Sequence, residues 1–188
     1  MTDIPSSYRK NNIGETLFKI VMERRPSLIM EFGVLAGYST VCMAMALKKI
    51  GAGRIIACDT WDVSSSHFSV PIDDAEKNIE RFGVSDIVEL RRLDFFEWVE
   101  SPNDFDLIHI DIHNDGNTIR AAADGLGAQL NDGSVMLFEG GTIERDSHRW
   151  MVEEKRLPIN AVKKEVGYKV VDERFPGLSM IDRRNGSG

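Results

Sequence analysis

Acidic residues and glycines recur in this sequence at intervals that suggest chemistry. The run Glu31-Phe-Gly33-Val-Leu-Ala-Gly37-Tyr-Ser39-Thr40 places two glycines four apart, which lets the backbone approach a bound group closely. Ser39 and the amides after it open a helix, a position that attracts a carboxylate or phosphate. Asp59 stands 22 residues beyond Gly37, about where an acid receives the hydroxyls of an adenosine ribose. The pattern fits a nucleoside-containing ligand, and it also fits a tight strand–helix turn followed by a solvent-facing acid. The glycine spacing is not G-x-G-x-x-G, which weighs against a nicotinamide dinucleotide. Further along come Asp94-Phe95-Phe96, then Asp111 and His113, then Glu139-Gly140-Gly141. Histidine is the usual general base near neutral pH, and His113 lies two residues past Asp111. His109, Asp111 and His113 alternate, so they share one face if a strand runs through all three. With Glu139 nearby, Asp111 and His113 also supply donor types suited to a divalent cation. Arg145 and Arg149 are four apart, with His148 between them. On one helix the two arginines share a face and could grip an anionic ligand; the other reading is a solvated helix with local ion pairs.

These residues must be positioned by regular elements, and hydrophobic periodicity predicts which. Apolar spacing predicts a helix over Ile13–Arg25, capped by Asn12 with Glu15 as its capping-box partner and ended by Pro26. Ser27–Phe32 reads as a buried strand and 33–37 as a turn. Ser39–Ile50 reads as a helix with Ser39 as cap and Gly51 as stop. Arg54–Asp59 is a second strand, and a polar loop runs from Thr60 to Val70. Pro71–Phe82 is a helix, Ile87–Arg92 a strand, Phe95–Val99 a short helix and Phe105–Asp111 a fourth strand. Thr118–Leu130 is a helix, Ser134–Glu139 a fifth strand, and Arg145–Lys155 and Asn160–Glu165 are helical. Val170–Arg174 and Leu178–Arg183 close the chain as a hairpin. This alternation predicts a mostly parallel sheet with helices on both faces. Such sheets bind ligands at the carboxyl ends of their strands, where Glu31, Asp59, Asp94, Asp111 and Glu139 all fall.

Composition narrows the class further. The 188 residues are 42% hydrophobic and 28% charged, as in a globular protein and unlike a disordered or collagenous chain. The net charge of −7 argues against non-specific binding to nucleic acid or anionic membrane. No apolar run approaches the roughly 20 residues of a membrane span. Cys42 and Cys58 lie in apolar surroundings and read as reduced core thiols. With a polar N-terminus lacking a secretory signal, they point to the cytoplasm. The whole length reads as one domain, with residues 1–25 as a helical extension and 141–158 as a substrate-side insertion. The first twelve residues could fold over a pocket, and an exposed N-terminal helix would suit a homodimer.

Over residues 13–184 the chain resembles the class I S-adenosylmethionine-dependent methyltransferases, nearest to their small O-methyltransferase-like branch. That branch includes catechol-type and cephalosporin-hydroxylase-like members. EFGVLAGYST is similar to the branch's first motif, E-x-G-x-x-x-G-Y-S, while FDLIHID and LNDGSVMLFEGG resemble its fourth and fifth strands. The resemblance implies a Rossmann-like, doubly wound, seven-stranded sheet with an antiparallel C-terminal strand. It implies methyl transfer from S-adenosylmethionine to a small molecule, most naturally to a hydroxyl. Glu31, Gly33 and Gly37 would form the cofactor cradle, and Ser39 would meet the methionine carboxylate. Asp59 would hold the ribose, with Thr60 or Trp61 near the adenine. Asp94 and the Phe95 backbone would contact the adenine, and Asp111 the methionine amine.

Methyl transfer chiefly requires alignment, and a hydroxyl acceptor must also lose its proton. Catechol-type relatives hold a metal on an Asp after the fourth strand and an Asp-Asn pair after the fifth, with a Lys three residues past the first Asp as base. Here Asp111 is kept, the pair is Glu139-Gly140, and Asn114 replaces the Lys. The local alternatives are His113 as base and a divalent metal on Asp111, His113 and Glu139. Arg145, His148 and Arg149 are the candidate substrate contacts. Two rival readings share the fold: a non-methylating, hydroxylase-like enzyme, and a non-catalytic partner subunit that binds the cofactor.

Overall fold

A computed structural model describes residues 2–62 and 70–183. The expected loop Thr60–Val70 therefore lies partly outside the described residues, as do the last five residues of the chain. The seven strands follow the order β3-β2-β1-β4-β5-β7-β6, mostly parallel with the closing hairpin antiparallel. The chain divides into two compact units, Met1–Phe95 and Phe96–Gly188.

In the first unit, β1 (Leu28–Phe32), β2 (Arg54–Asp59) and β3 (Val88–Arg92) pair in parallel. The apolar runs of β1 and β2 are buried as a doubly covered sheet requires. The charge-bearing β3 is largely exposed, as suits an edge strand. Register matches Phe32 with Cys58 and Asp59 with Arg92, so β1 and β2 end level and Asp59 arrives beside the turn that follows β1.

Helix α1 (Ile13–Arg24) packs on α2 (Tyr38–Ile50). Its buried stripe is Ile13, Gly14, Leu17 and Val21. A Cβ on Gly14 would sit 2.6 Å from Cys42 Sγ and 2.7 Å from the Tyr38 hydroxyl, so only glycine allows this approach. One face of the N-terminal helix is thus committed to the core. Ile4 and Tyr8 are also fully buried, and Asp3 pairs with Arg81 of α3 (Ile72–Arg81). The capping box does not form: Asn12 takes a left-handed backbone (φ 58°) and makes no side-chain cap. Ser39 is likewise not a cap; α2 begins at Tyr38 behind Gly37.

Both cysteines are free and buried, and burial pushes each thiol up to about 12. Because the thiolate is the nucleophile, neither should react with iodoacetamide at pH 8 in the native protein. Mass spectrometry should find both carbamidomethylated after unfolding in guanidinium.

In the second unit, β4 (Leu107–Ile110) and β5 (Val135–Glu139) are parallel. The strand β7 (Leu178–Asp182) runs antiparallel to β5 and to β6 (Lys169–Asp172). The segment expected as one helix over Thr118–Leu130 is two. After α4 (Phe95–Trp98), α5 spans Gly116–Gly125 and α6 spans Gly127–Asn131. Asp115 caps α5 by accepting from the Thr118 amide at 2.9 Å, which moves its start before Thr118. Glycines on either side of Leu126 weaken helix propagation at the break. The next stretch is also divided: α7 (Ile143–Asp146) and α8 (Arg149–Glu153), then a 3₁₀ turn Ile159–Val162 and α9 (Lys163–Val166).

Candidate functional site

The 33–37 turn of the first unit is held from several sides. Gly33 N–H donates to the Cys58 carbonyl at 3.0 Å. The Val34 and Leu35 amides donate to Asp59 Oδ2 at 2.8 and 3.1 Å. Asn78 of α3 donates to the Ala36 carbonyl at 2.9 Å, and the Trp61 indole reaches the Leu35 carbonyl at 3.4 Å. Asp59 Oδ1 accepts the Trp61 amide at 3.0 Å. Gly33 and Gly37 take φ of 90° and 85°, values that exclude ordinary side chains. Leu35 and Trp61, at φ 50° and 43°, carry strain that this network must offset.

Glu31 is fully buried and accepts from the Thr40 hydroxyl. It ties the end of β1 to the first turn of α2. Gly37 offers that helix no side-chain cap, so the amides of its first turn, around Ser39, are suited to an anion. The Trp61 ring is buried at 4% exposure, while Thr60 is exposed and its carbonyl accepts from Arg92 at 2.9 Å. Asp94 is half-buried just before α4. Phe95 is core, edge-on to Phe32 at 5.3 Å between ring centroids, and Phe96 is exposed.

The second unit departs further from expectation. The strand β4 ends at Ile110 and the chain bends at Ile112 and His113, so His109, Asp111 and His113 do not share a strand face. His109 is buried within β4, whereas Asp111 is half-buried just beyond it. His113 is exposed and packs edge-on against Trp150 at 6.0 Å between centroids.

Glu139 is buried and engaged by Arg145 through two hydrogen bonds, Nε to Oε1 at 2.5 Å and Nη2 to Oε2 at 2.9 Å. Burial pushes the Glu139 carboxyl above its ordinary range, while the Arg145 guanidinium pulls it back. Arg145 is not a solvent-facing grip. It is 4% exposed, covered by the Trp150 ring at 4.5 Å, and separated from Arg149 by the break between α7 and α8. Arg149 is exposed and pairs with Glu153, and His148 lies against Phe175. The shared helix face predicted for the two arginines does not exist.

Two residues were not expected to matter here. Asn114 is fully buried, and its Nδ2 donates to the carbonyls of Ile110 and Glu139 at 2.9 and 3.0 Å, bridging the ends of β4 and β5. Asp146 accepts from the Ile159 and Asn160 amides, fastening the 3₁₀ turn to α7. The Glu139–Arg145 pairing, by contrast, left a visible signal: a carboxylate ending an apolar strand needs a cation, and Arg145 is the first basic residue after it.

The residues present do not fit the expected metal. Both Glu139 oxygens accept from Arg145, whose guanidinium sets a positive charge against any cation there. Gly140 offers no ligand, and a Cβ there would lie 2.8 Å from Ile159 Cδ1 and 3.4 Å from Arg145 Cγ. Among the described residues, no three His, Cys, Asp or Glu side chains gather as a cation site.

A glycine turn closed by a strand-end acid, on a mostly parallel seven-stranded sheet, defines an α/β protein of the doubly wound class. The profile described as "Methyltransferase domain" matches residues 30–139, more than half of the chain, and the chain belongs to that family. A catechol O-methyltransferase of Niastella koreensis is 40% identical over 88 residues. That stretch is 44% of this chain and 36% of the relative, so the chain spans about a third of the relative's length. Among solved structures, an O-methyltransferase from Bacillus cereus in complex with SAH superposes with a TM-score of 0.64 at 21% identity, covering 96% of this chain and 84% of that one. The O-methyltransferase of Streptomyces achromogenes involved in tomaymycin synthesis, in complex with SAM, gives 0.63 at 18% identity, covering 96% and 82%. These likenesses establish the fold. No helix among the described residues is long and apolar enough to cross a membrane.

Proposed function

We propose that the chain transfers a methyl group from S-adenosylmethionine to a hydroxyl of a small molecule, in the cytoplasm. The family membership and the catechol O-methyltransferase relative support the reaction class. The cofactor reading is carried by one observation, the 33–37 turn pinned by Asp59 with the N-terminus of α2 left uncapped. When bound, S-adenosylmethionine supplies a methyl group on a sulfonium, open to displacement by an oxygen nucleophile.

The residues of the first unit match its polar groups. The first-turn amides around Ser39 receive a carboxylate. A carboxylate has about four lone-pair directions, and Val34, Leu35 and Trp61 occupy three of those on Asp59. One remains on Oδ1 for a ribose hydroxyl. Asp94 and the Phe95 backbone take the adenine, with Thr60 and Trp61 beside it. Gly33 and Gly37 let the backbone come close, and Glu31 holds the turn from behind. For the acceptor, Asp111 and His113 follow β4, and the exposed His113 imidazole is the base.

Calorimetric titration with S-adenosylmethionine should show saturable binding at one site per chain, and a flat titration would sink the proposal. In a methyl-transfer assay on an accepted phenol or alcohol, His113→Ala should lower turnover about 10²–10⁴-fold. Unchanged turnover would remove His113 as base.

A further inference from the structure

The Glu139–Arg145 pair leaves two polar atoms unanswered. Arg145 Nη1 and Asn114 Oδ1 are both buried without a hydrogen-bond partner. They belong to residues in contact, since Arg145 Nη2 donates to the Asn114 carbonyl at 3.2 Å. The orientation of the Asn114 amide is fixed by its other end, because Nδ2 donates to two carbonyls. The oxygen is therefore the unanswered atom. A buried donor or acceptor without a partner in the protein is rare, and it points to a bound water or to a role in binding. Here one is a charged donor and the other a neutral acceptor. A hydroxyl group answers both, because it accepts and donates at one oxygen. A carboxylate would satisfy Nη1 but repel Oδ1, and a cation would do the reverse.

Charge leads to the same place. A divalent cation ordinarily polarises an oxygen by supplying fixed positive charge. The end of β5 already carries a fixed positive charge, because Arg145 is buried, forked onto Glu139 and covered by Trp150. Its side chain also lies against the position where a ligand at residue 140 would begin.

We infer that Arg145 Nη1 and Asn114 Oδ1 form a hydroxyl-binding pair for the acceptor, with the Arg145 guanidinium holding the positive charge so that no divalent cation binds there. This rests on the methyl-transfer reading and names the acceptor group it takes. Arg145 donates to the hydroxyl oxygen, and Asn114 accepts the hydroxyl's own hydrogen bond until His113 takes that proton.

Two measurements on the wild-type protein test it, beside the calorimetry with S-adenosylmethionine run with and without EDTA. The first is titration with Mn²⁺, following the free ion by electron paramagnetic resonance. No stoichiometric loss of the free-ion signal is expected. One tightly bound Mn²⁺ per chain, released by EDTA, would overturn the inference. The second is a crystal soaked in isopropanol. The alcohol oxygen should lie within hydrogen-bond distance of both Nη1 and Oδ1, replacing a single water in the unsoaked crystal. Protein atoms filling that space, or a soak that leaves both atoms empty, would also overturn it. If S-adenosylmethionine fails to bind while both results hold, the methyl-transfer reading is what fails.

Discussion

Replacing Arg145 by methionine should cost about 3–5 kcal/mol of folding stability, the usual penalty for leaving one member of a buried ion pair without the other. Glu139 is 5% exposed and takes two hydrogen bonds from that guanidinium, so the variant strands a carboxylate among the apolar residues of β5. A domain typically has about 5–15 kcal/mol to lose, and the urea midpoint should fall far below that of the wild type. The double variant Glu139→Gln, Arg145→Met removes both charges and should recover most of the loss, since replacing a whole buried pair is often neutral. The double-mutant cycle then gives a large coupling energy. A single variant as stable as the wild type would mean that the pair is open to water.

Replacing Asp59 by alanine should abolish measurable binding of S-adenosylmethionine and also loosen the turn that binds it. The carboxylate answers three backbone amides, from Val34, Leu35 and Trp61. Hydrogen bonds to a charged group contribute about 1.5–3 kcal/mol each, and these need not add. Asp59 is half-buried, so water will replace part of what is lost. A net destabilisation of about 2–4 kcal/mol follows, with cofactor affinity reduced at least about 100-fold. Asp59→Asn should fall between. One amide oxygen can still accept from Val34 and Leu35, but the amide nitrogen would face the Trp61 N–H, donor against donor. Calorimetry reads the affinity, and hydrogen exchange at Val34 and Leu35 reads the turn. An alanine variant with intact binding and unchanged exchange would show that Asp59 is only a bystander at the strand end.

Much of the fold was legible because its signals are local and strong. Arg54–Asp59 has the predicted limits as β2, since an apolar run preceded by glycines and followed by polar residues leaves little choice of boundary. The glycine turn was equally plain, because its positive φ values demand its residue types. What failed depended on contacts distant in the chain. Asn12 has the right type for a cap, but the chain enters α1 in a left-handed conformation that turns its side chain away from that task. Arg145 and Arg149 have helical spacing, yet the helix breaks between them at the extended backbone of His148, beside an Asp146 tied to the amides of Ile159 and Asn160. No periodicity records that bond. The partnership of Glu139 with Arg145 could have been inferred from the cost of a buried carboxylate, but not its fork geometry or the ring of Trp150 above it.

Residues 139, 140 and 145 also bear on how such a site can change over generations. Arginine at 145 lies in contact with the place where a side chain at 140 would begin, and Ile159 intrudes on it. Loss of the arginine alone strands a charge, and gain of a side chain at 140 alone meets Ile159. The three positions therefore behave as one inherited unit. Any lineage that exchanges the guanidinium for a metal must cross an unstable intermediate, or first acquire stability elsewhere to survive it.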